Sequence, residues 1–274
     1  MNAGITRLRP ATAAGLLIVL FWAAMAAFGP LLAPHADGGV MSAQVFDAAS
    51  RAAPLGTDYL GRDMLTRILI GARYTVGVAA VATGLASLVG TTLALCAATV
   101  GGWTDAVLSR LLDALISLPS LLFALVVVAS VGSSIPMLVA TAAVIYVPGA
   151  YRTVRALAVN IVAMEFVKVA RARGEGTLYL MRAEILPNIV LPVLTDFGLR
   201  FIYVVLLLSG LSFLGLGIQP PYADWGSLVR ENIEGLAYGA PAVIMPALAI
   251  ATLTIGVNLL VDGLAGRRGG GDGR

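Results

Sequence analysis

Apolar residues fall into long blocks separated by short arginine-rich stretches, and the block lengths predict an all-α chain. A hydrocarbon core of about 30 Å is crossed by about 20 residues at 1.5 Å each. Six blocks are long enough: Ala11–Ala33, Tyr74–Val100, Leu111–Val131, Ile135–Leu157, Ile189–Leu211 and Pro241–Val261. The first block also admits a cleaved signal peptide, but it exceeds an ordinary signal core and has no convincing small-residue cleavage site, so an anchor is preferred.

Composition sharpens this to a polytopic membrane protein. Of 274 residues, 59% are hydrophobic and 12% charged, about half the charge of an ordinary soluble domain. The net charge of +3 is too small to point to nucleic acid. Cys96 is the single cysteine and lies in an apolar run, so no disulfide framework exists and a small buried hydrophobe is the expectation. His35 follows Pro34 in a polar stretch and reads as a solvated loop residue, and no metal-ligand spacing occurs. No Gly-rich phosphate loop occurs either, so the chain should hydrolyse no nucleotide itself.

The basic residues set the expected orientation. With the N-terminus in the cytoplasm, twelve fall inside and five outside, while Arg200 lies within a span. Both termini are therefore expected inside, against the tension of a cluster from Arg62 to Arg73 that this topology puts outside. The expected organisation is a cytoplasmic N-terminus (1–10), a first span (11–33), an extracytoplasmic segment with an interfacial helix (34–73), a core of five spans (74–265) and a disordered tail (266–274). No internal repeat is visible, which weakens a secondary transporter built on inverted repeats.

Three stretches are more specific than generic membrane sequence. In the inside loop at 160–188, Phe166, Val169 and Ala170 share a helical face flanked by Glu165, Lys168 and Arg171. Gly174 and Gly176 break that helix, and a second short amphipathic run ends at Leu186-Pro187. Two short helices joined by a tight turn suit either the groove of a soluble partner or lipid headgroups. In the stretch Pro54–Arg73, Thr57 or Asp58 is placed to cap a helix with the apolar stripe Leu60, Met64, Leu65 and Ile68. Asp63 stands four residues before Arg67, the spacing of a helical ion pair. In Leu211–Asn232, Gly215 and Gly217 allow close backbone approach, Pro220-Pro221 is expected to stop the helix, and Trp225 suits the membrane interface.

On these residues the chain resembles the C-type permease subunit of dipeptide, oligopeptide and nickel ABC importers. The inside loop is similar to their EAA loop, with Lys168-Val169-Ala170 at the Glu-Ala-Ala positions, Gly174 at the glycine and Leu186-Pro187 closing the motif. Lys168, Val169 and Glu184 depart from the pattern, while Glu165 resembles the acid of a neighbouring family segment. Gly56, Thr57, Asp58, Gly61, Arg62, Asp63 and Arg67 carry the long extracytoplasmic signature, and similarity extends from about residue 54 to 265. The resemblance implies the type I importer permease fold with six spans in a bacterial inner membrane. It implies a B-type permease as heterodimer partner, two cytoplasmic ATPase subunits carrying ATP and Mg, one of them docked mainly on the Glu165–Pro187 loop, and a solute-binding protein outside. No cofactor is expected on this chain. Peptide is the expected solute; nickel, glutathione, an opine or a sugar are alternatives, and an ATP-independent transporter is a remote one.

Charges inside the spans complete the candidate set. Asp196 and Arg200 are four apart, and an isolated charge at the bilayer centre costs at least about 2.5–3.5 kcal/mol, so a pair is expected. Either helix packing or solute contact fits that pair. Asp113, six residues before Pro119 in a spacing that resembles the family's, is expected to pack structurally.

Overall fold

The computed structural model describes residues 10–36, 38–42 and 44–265. The expected disordered tail and the basic residues Arg7, Arg9, Arg267, Arg268 and Arg274 lie outside them. Every element among the described residues is helical except two isolated bridges, Val40 with Arg62 and Thr57 with Asp63. Five helical stretches are long and apolar enough to cross a membrane, and a bent pair makes a sixth.

The elements are α1 (Pro10–Leu32), α2 (Met64–Val100), α3 (Gly102–Ile116), α4 (Ser120–Val131), α5 (Ile135–Val162) and α6 (Glu165–Ala172). A turn α7 (Thr177–Tyr179) and a π-helical segment (Leu180–Ile185) then run into α8 (Leu186–Phe213). The chain continues through α9 (Trp225–Glu231), a 3-10 segment (Ile233–Tyr238) and α10 (Pro241–Ala265). They form two compact units: one holds α1, the start of α2, the end of α8, α9 and α10, the other the rest of α2, α3 to α7 and most of α8.

In the first unit α1 packs along α10. A Cβ on Gly15 would lie 2.7 Å from the Gly256 carbonyl, and one on Gly256 would lie 2.6 Å from Ile18, so only small residues permit this approach. Small residues at helix contacts are the usual device where lipid removes the hydrophobic drive between helices. Trp22 adds a hydrogen bond from Nε1 to Thr252 at 3.1 Å.

Three expectations about element ends change. The helix that was to begin near Thr57 begins at Met64 and runs 37 residues without a break, and among the described residues no separate interfacial helix precedes it. At 1.5 Å per residue α2 is about 55 Å long, well beyond the hydrocarbon thickness. The third span is not one straight helix: α3 and α4 meet at 84°. Proline disfavours the helical region for the residue before it, so Pro119 forces the chain out at Leu118, and Ser117 returns its hydroxyl to the Ala114 carbonyl. Finally, α8 ends before Pro220-Pro221 is reached. Gly215 takes φ +87°, with Leu216 N–H on the Leu211 carbonyl and Gly215 N–H on Ser212. Those two bonds are the glycine-terminated Schellman close.

Candidate functional site

Helix α6 is short and strongly two-faced. Val167 and Ala170 are buried against Leu180, with Ile161 beside them, whereas Phe166 and Val169 are 40% and 57% exposed. The expected common face of Phe166, Val169 and Ala170 is therefore split, because Ala170 turns inward with Val167. Glu165 sits in the first turn and Arg171 in the last, each at the end of the helix dipole that favours its charge.

Gly174 ends α6 at φ +86°. Its N–H bonds the Arg171 carbonyl at 3.0 Å and Glu175 N–H bonds Ala170 at 3.2 Å, the same closing geometry as at Gly215. A Cβ at Gly174 would meet nothing within 4 Å, so the backbone angle and not space demands glycine here. Arg171, expected to flank an outward face, also reaches inward, from Nη2 to the Thr99 carbonyl at 2.9 Å.

The second run of the loop does not end at Leu186-Pro187. Pro187 lacks the N–H of an α-helical bond and crowds the carbonyl four residues back. The chain absorbs this with a π segment, in which Leu186 N–H bonds the Met181 carbonyl, five residues back. Asn188 Nδ2 caps the Glu184 carbonyl at 2.6 Å. The loop thus passes into α8 with no hinge of irregular chain, and Leu186 and Pro187 belong to that span.

Further along α8 the expected pair forms. Arg200 donates from Nε and Nη2 to Asp196 at 2.6 and 2.9 Å, with side chains 10% and 15% exposed. Arg200 also reaches the Tyr146 carbonyl and Thr153 Oγ1 on α5, and it lies where Gly149 has no side chain. Beside it opens a cavity of about 570 Å³ lined by residues of α3, α4 and α5 as well as Arg200. Asp113, on α3, is more than half exposed and accepts from Arg152 Nη2 of α5 at 2.7 Å, an ion pair between the two helices.

One cluster in this unit was not anticipated. Asp105 on α3 is held by Arg155, Tyr151 and Ser109. The two aromatic and charged partners lie on α5, 46 and 50 residues away, beyond the reach of any local pattern.

In the first unit the signature from Gly56 to Arg67 forms a compact loop leading into the start of α2. Asp58 is fully buried and accepts from the amides of Leu60 and Arg62 and from Arg62 Nε at 2.6 Å. Asp63, not Thr57 or Asp58, caps α2, accepting from the amides of Leu65 and Thr66 and from Thr66 Oγ1. His35, expected in solvent, sits 3.1 Å from the same Asp63 carboxylate. Arg67 pairs with Glu231 of α9 at 2.8 Å, with Asp58 at 3.8 Å. Gly56 and Gly61 take φ +75° and +72° in the loop. Met64 and Ile68 are buried, but Leu60 is 46% exposed, so the expected stripe is only partly apolar contact.

Trp225 is not at an interface; it is fully buried, donates Nε1 to the Ile68 carbonyl at 3.0 Å and meets Trp22 edge-on. Asp224 before it closes a capping box with Ser227 and accepts from Ser212 Oγ at 2.8 Å. Burial pushes the Asp224 carboxyl above its ordinary pKa, against the opposing pull of its Ser227 and Ser212 hydrogen bonds. Thr75 Oγ1 receives the Trp225 amide, and Asn232 Oδ1 receives that of Tyr59.

Comparison with known proteins places these features in a family. Residues 86–269 match the family described as binding-protein-dependent transport system inner membrane component. The chain is 32% identical to the dipeptide transport system permease protein of Alkalihalophilus pseudofirmus, over 91% of this chain and 82% of that one. It is 33% identical to the glutathione transport system permease protein of Pectobacterium atrosepticum, over 93% and 84% respectively. It is 31% identical to the di/tripeptide transport system permease protein of Pseudomonas aeruginosa, over 91% and 84%.

Proposed function

Because the chain belongs to the family of binding-protein-dependent transport system inner-membrane components, we propose that it forms half of the membrane pathway through which an ABC importer takes up di- and oligopeptides. A homologous B-type permease supplies the other half. Two ATPase subunits dock from the cytoplasm, one of them on the 160–188 loop, and a binding protein delivers solute from outside. Both termini are cytoplasmic. ATP and Mg belong to the ATPases, and this chain carries no cofactor of its own.

The build of α6 carries the docking assignment. Its inner face is fastened to Leu180 and to the end of α2, leaving Phe166 and Val169 exposed as anchors for a groove. Beyond the Gly174 turn the loop continues into α8 without a break, through α7 and the π-helical segment. A movement of the ATPases is thereby passed to a span as a rigid-body shift. Replacing Phe166 and Val169 together by Glu tests this. The expected result is normal insertion with loss of ATPase co-purification and of uptake; retention of both would overturn the assignment.

Glutathione is the second reading of the solute, supported by the similarity to a glutathione permease. Glutathione is itself a small peptide bearing free carboxylates. Competition for uptake between a labelled dipeptide and glutathione separates the two.

A further inference from the structure

The cavity beside Arg200 is lined by two guanidinium groups, Arg152 and Arg200, and by no acidic residue. Pro119, Ser120 and Phe123 bring the N-terminus of the 12-residue α4 to the same space, with no acid in its first turn. First-turn amides have no partner within their own helix, and the dipole there favours an anion. The remaining wall is apolar, including Leu115, Ile116 and Val144. At about 570 Å³ the space falls within the range of about 300–1,000 Å³ typical of small-molecule sites.

The two arginines are held differently. Arg200 is mostly buried and bound twice by Asp196, so its charge is fixed in place. Arg152 spends only Nη2 on Asp113, and both side chains are more than half exposed. An ion pair of that kind contributes about 0–1 kcal/mol, so a second carboxylate can replace Asp113 at little cost. A guanidinium also offers the paired donors that fit a carboxylate on both oxygens.

We infer that this cavity holds a carboxylate of the solute during passage, with Arg152 as the exchangeable ligand and the unpartnered first-turn amides of α4 as the fixed donors opposite it. The identity of the solute as a peptide rests on the importer reading above. The apolar wall accepts side chains without selecting among them, and the carboxylate is the feature every linear peptide shares.

The test uses the complete transporter in phosphatidylcholine nanodiscs, carrying Cys96→Ala and Ser120→Cys in this chain. Ser120 is exposed at the cavity, so its replacement is open to reagent. Modification by an anionic and a cationic methanethiosulfonate is followed on this chain by mass, each rate normalised to that with a free thiol. The anionic reagent is expected to react about tenfold faster, as a focused positive potential raises local anion concentration. Arg152→Gln should erase most of that preference. A free-acid tripeptide should slow modification, and its C-terminal amide should not. Equal rates for the two reagents, a preference unchanged in Arg152→Gln, or equal protection by acid and amide would overturn the inference. Protection by added anionic lipid but not by peptide would overturn it too, assigning the site to a headgroup. The reagent preference is measured with no solute present, so a transporter that imports no peptide sinks the importer reading separately.

Discussion

The guanidinium of Arg171 donates from Nη2 to the Thr99 carbonyl at 2.9 Å, tying the loop helix α6 to the last turn of α2. The last carbonyls of a helix lack intrahelical partners, and a cation there also meets the negative end of the dipole. One side chain therefore joins the proposed docking surface to a span that precedes it by more than sixty residues in sequence. Arg171→Gln is expected to loosen this tie by about 1 kcal/mol. Insertion should be normal while uptake per ATP hydrolysed falls. An unchanged ratio in reconstituted vesicles would show that the tie transmits nothing.

At Gly174 the penalty for substitution is one of backbone angle. An L residue in the left-handed region costs about 1–2 kcal/mol, and no neighbour lies within 4 Å of the added Cβ. Gly174→Ala and Gly174→Leu should therefore lower the chain's melting temperature by similar amounts, and Gly174→Asn by less. If Leu abolishes uptake where Ala only reduces it, the extra loss reports a partner surface against the loop.

For the loop ahead of α2, the partner of Arg67 decides which carboxylate matters. Glu231→Ala removes its close partner from a site where Arg67 is 5% exposed, and stripping one member of a buried pair costs about 3–5 kcal/mol. Asp63→Asn keeps an N-cap of similar quality and should cost far less. Thermal unfolding of the two variants compares them directly; equal losses would put Asp63 on a par with Glu231.

Spacing alone suggests that exchanging Asp196 and Arg200 would preserve their bond. Position 200, however, also serves the Tyr146 carbonyl and Thr153 Oγ1, and the guanidinium fills the space Gly149 leaves. A carboxylate there would face a carbonyl with no donor. The double exchange is expected to yield as little folded protein as either single reversal, read by size-exclusion profile after membrane extraction. Recovery in the double variant would show that the pair acts without its α5 neighbours. Gly149→Ala should be damaging as well, since its Cβ would collide with the Arg200 guanidinium.

The spans were legible because their signal is bulk. A run of about 20 apolar residues has few stable fates other than crossing a membrane; four of the six expected blocks lie within single continuous helices and the first overruns α1 by one residue. Gly174 and the Asp196–Arg200 pair were legible for a related reason: a helix stop and an i,i+4 contact are local, settled within one or two turns. The 84° bend at Pro119 was within reach of the same logic, since the residue before a proline leaves the helical region.

What tertiary structure alone decided is which partner a charged or aromatic side chain takes. Arg67 had a local candidate in Asp63 and a distant one in Glu231, 164 residues away, and the fold brought Glu231 to it while Asp63 capped α2. Trp225 was amphipathic enough for an interface, yet the buried Ile68 carbonyl gave its N–H a partner and Trp22 its ring a neighbour. Ala170 looked outward until Leu180 packed beneath it. Hydrophobicity and helix stops act along the chain and are written in it; a hydrogen bond or ion pair between distant helices depends on which faces meet, and that is settled only by packing.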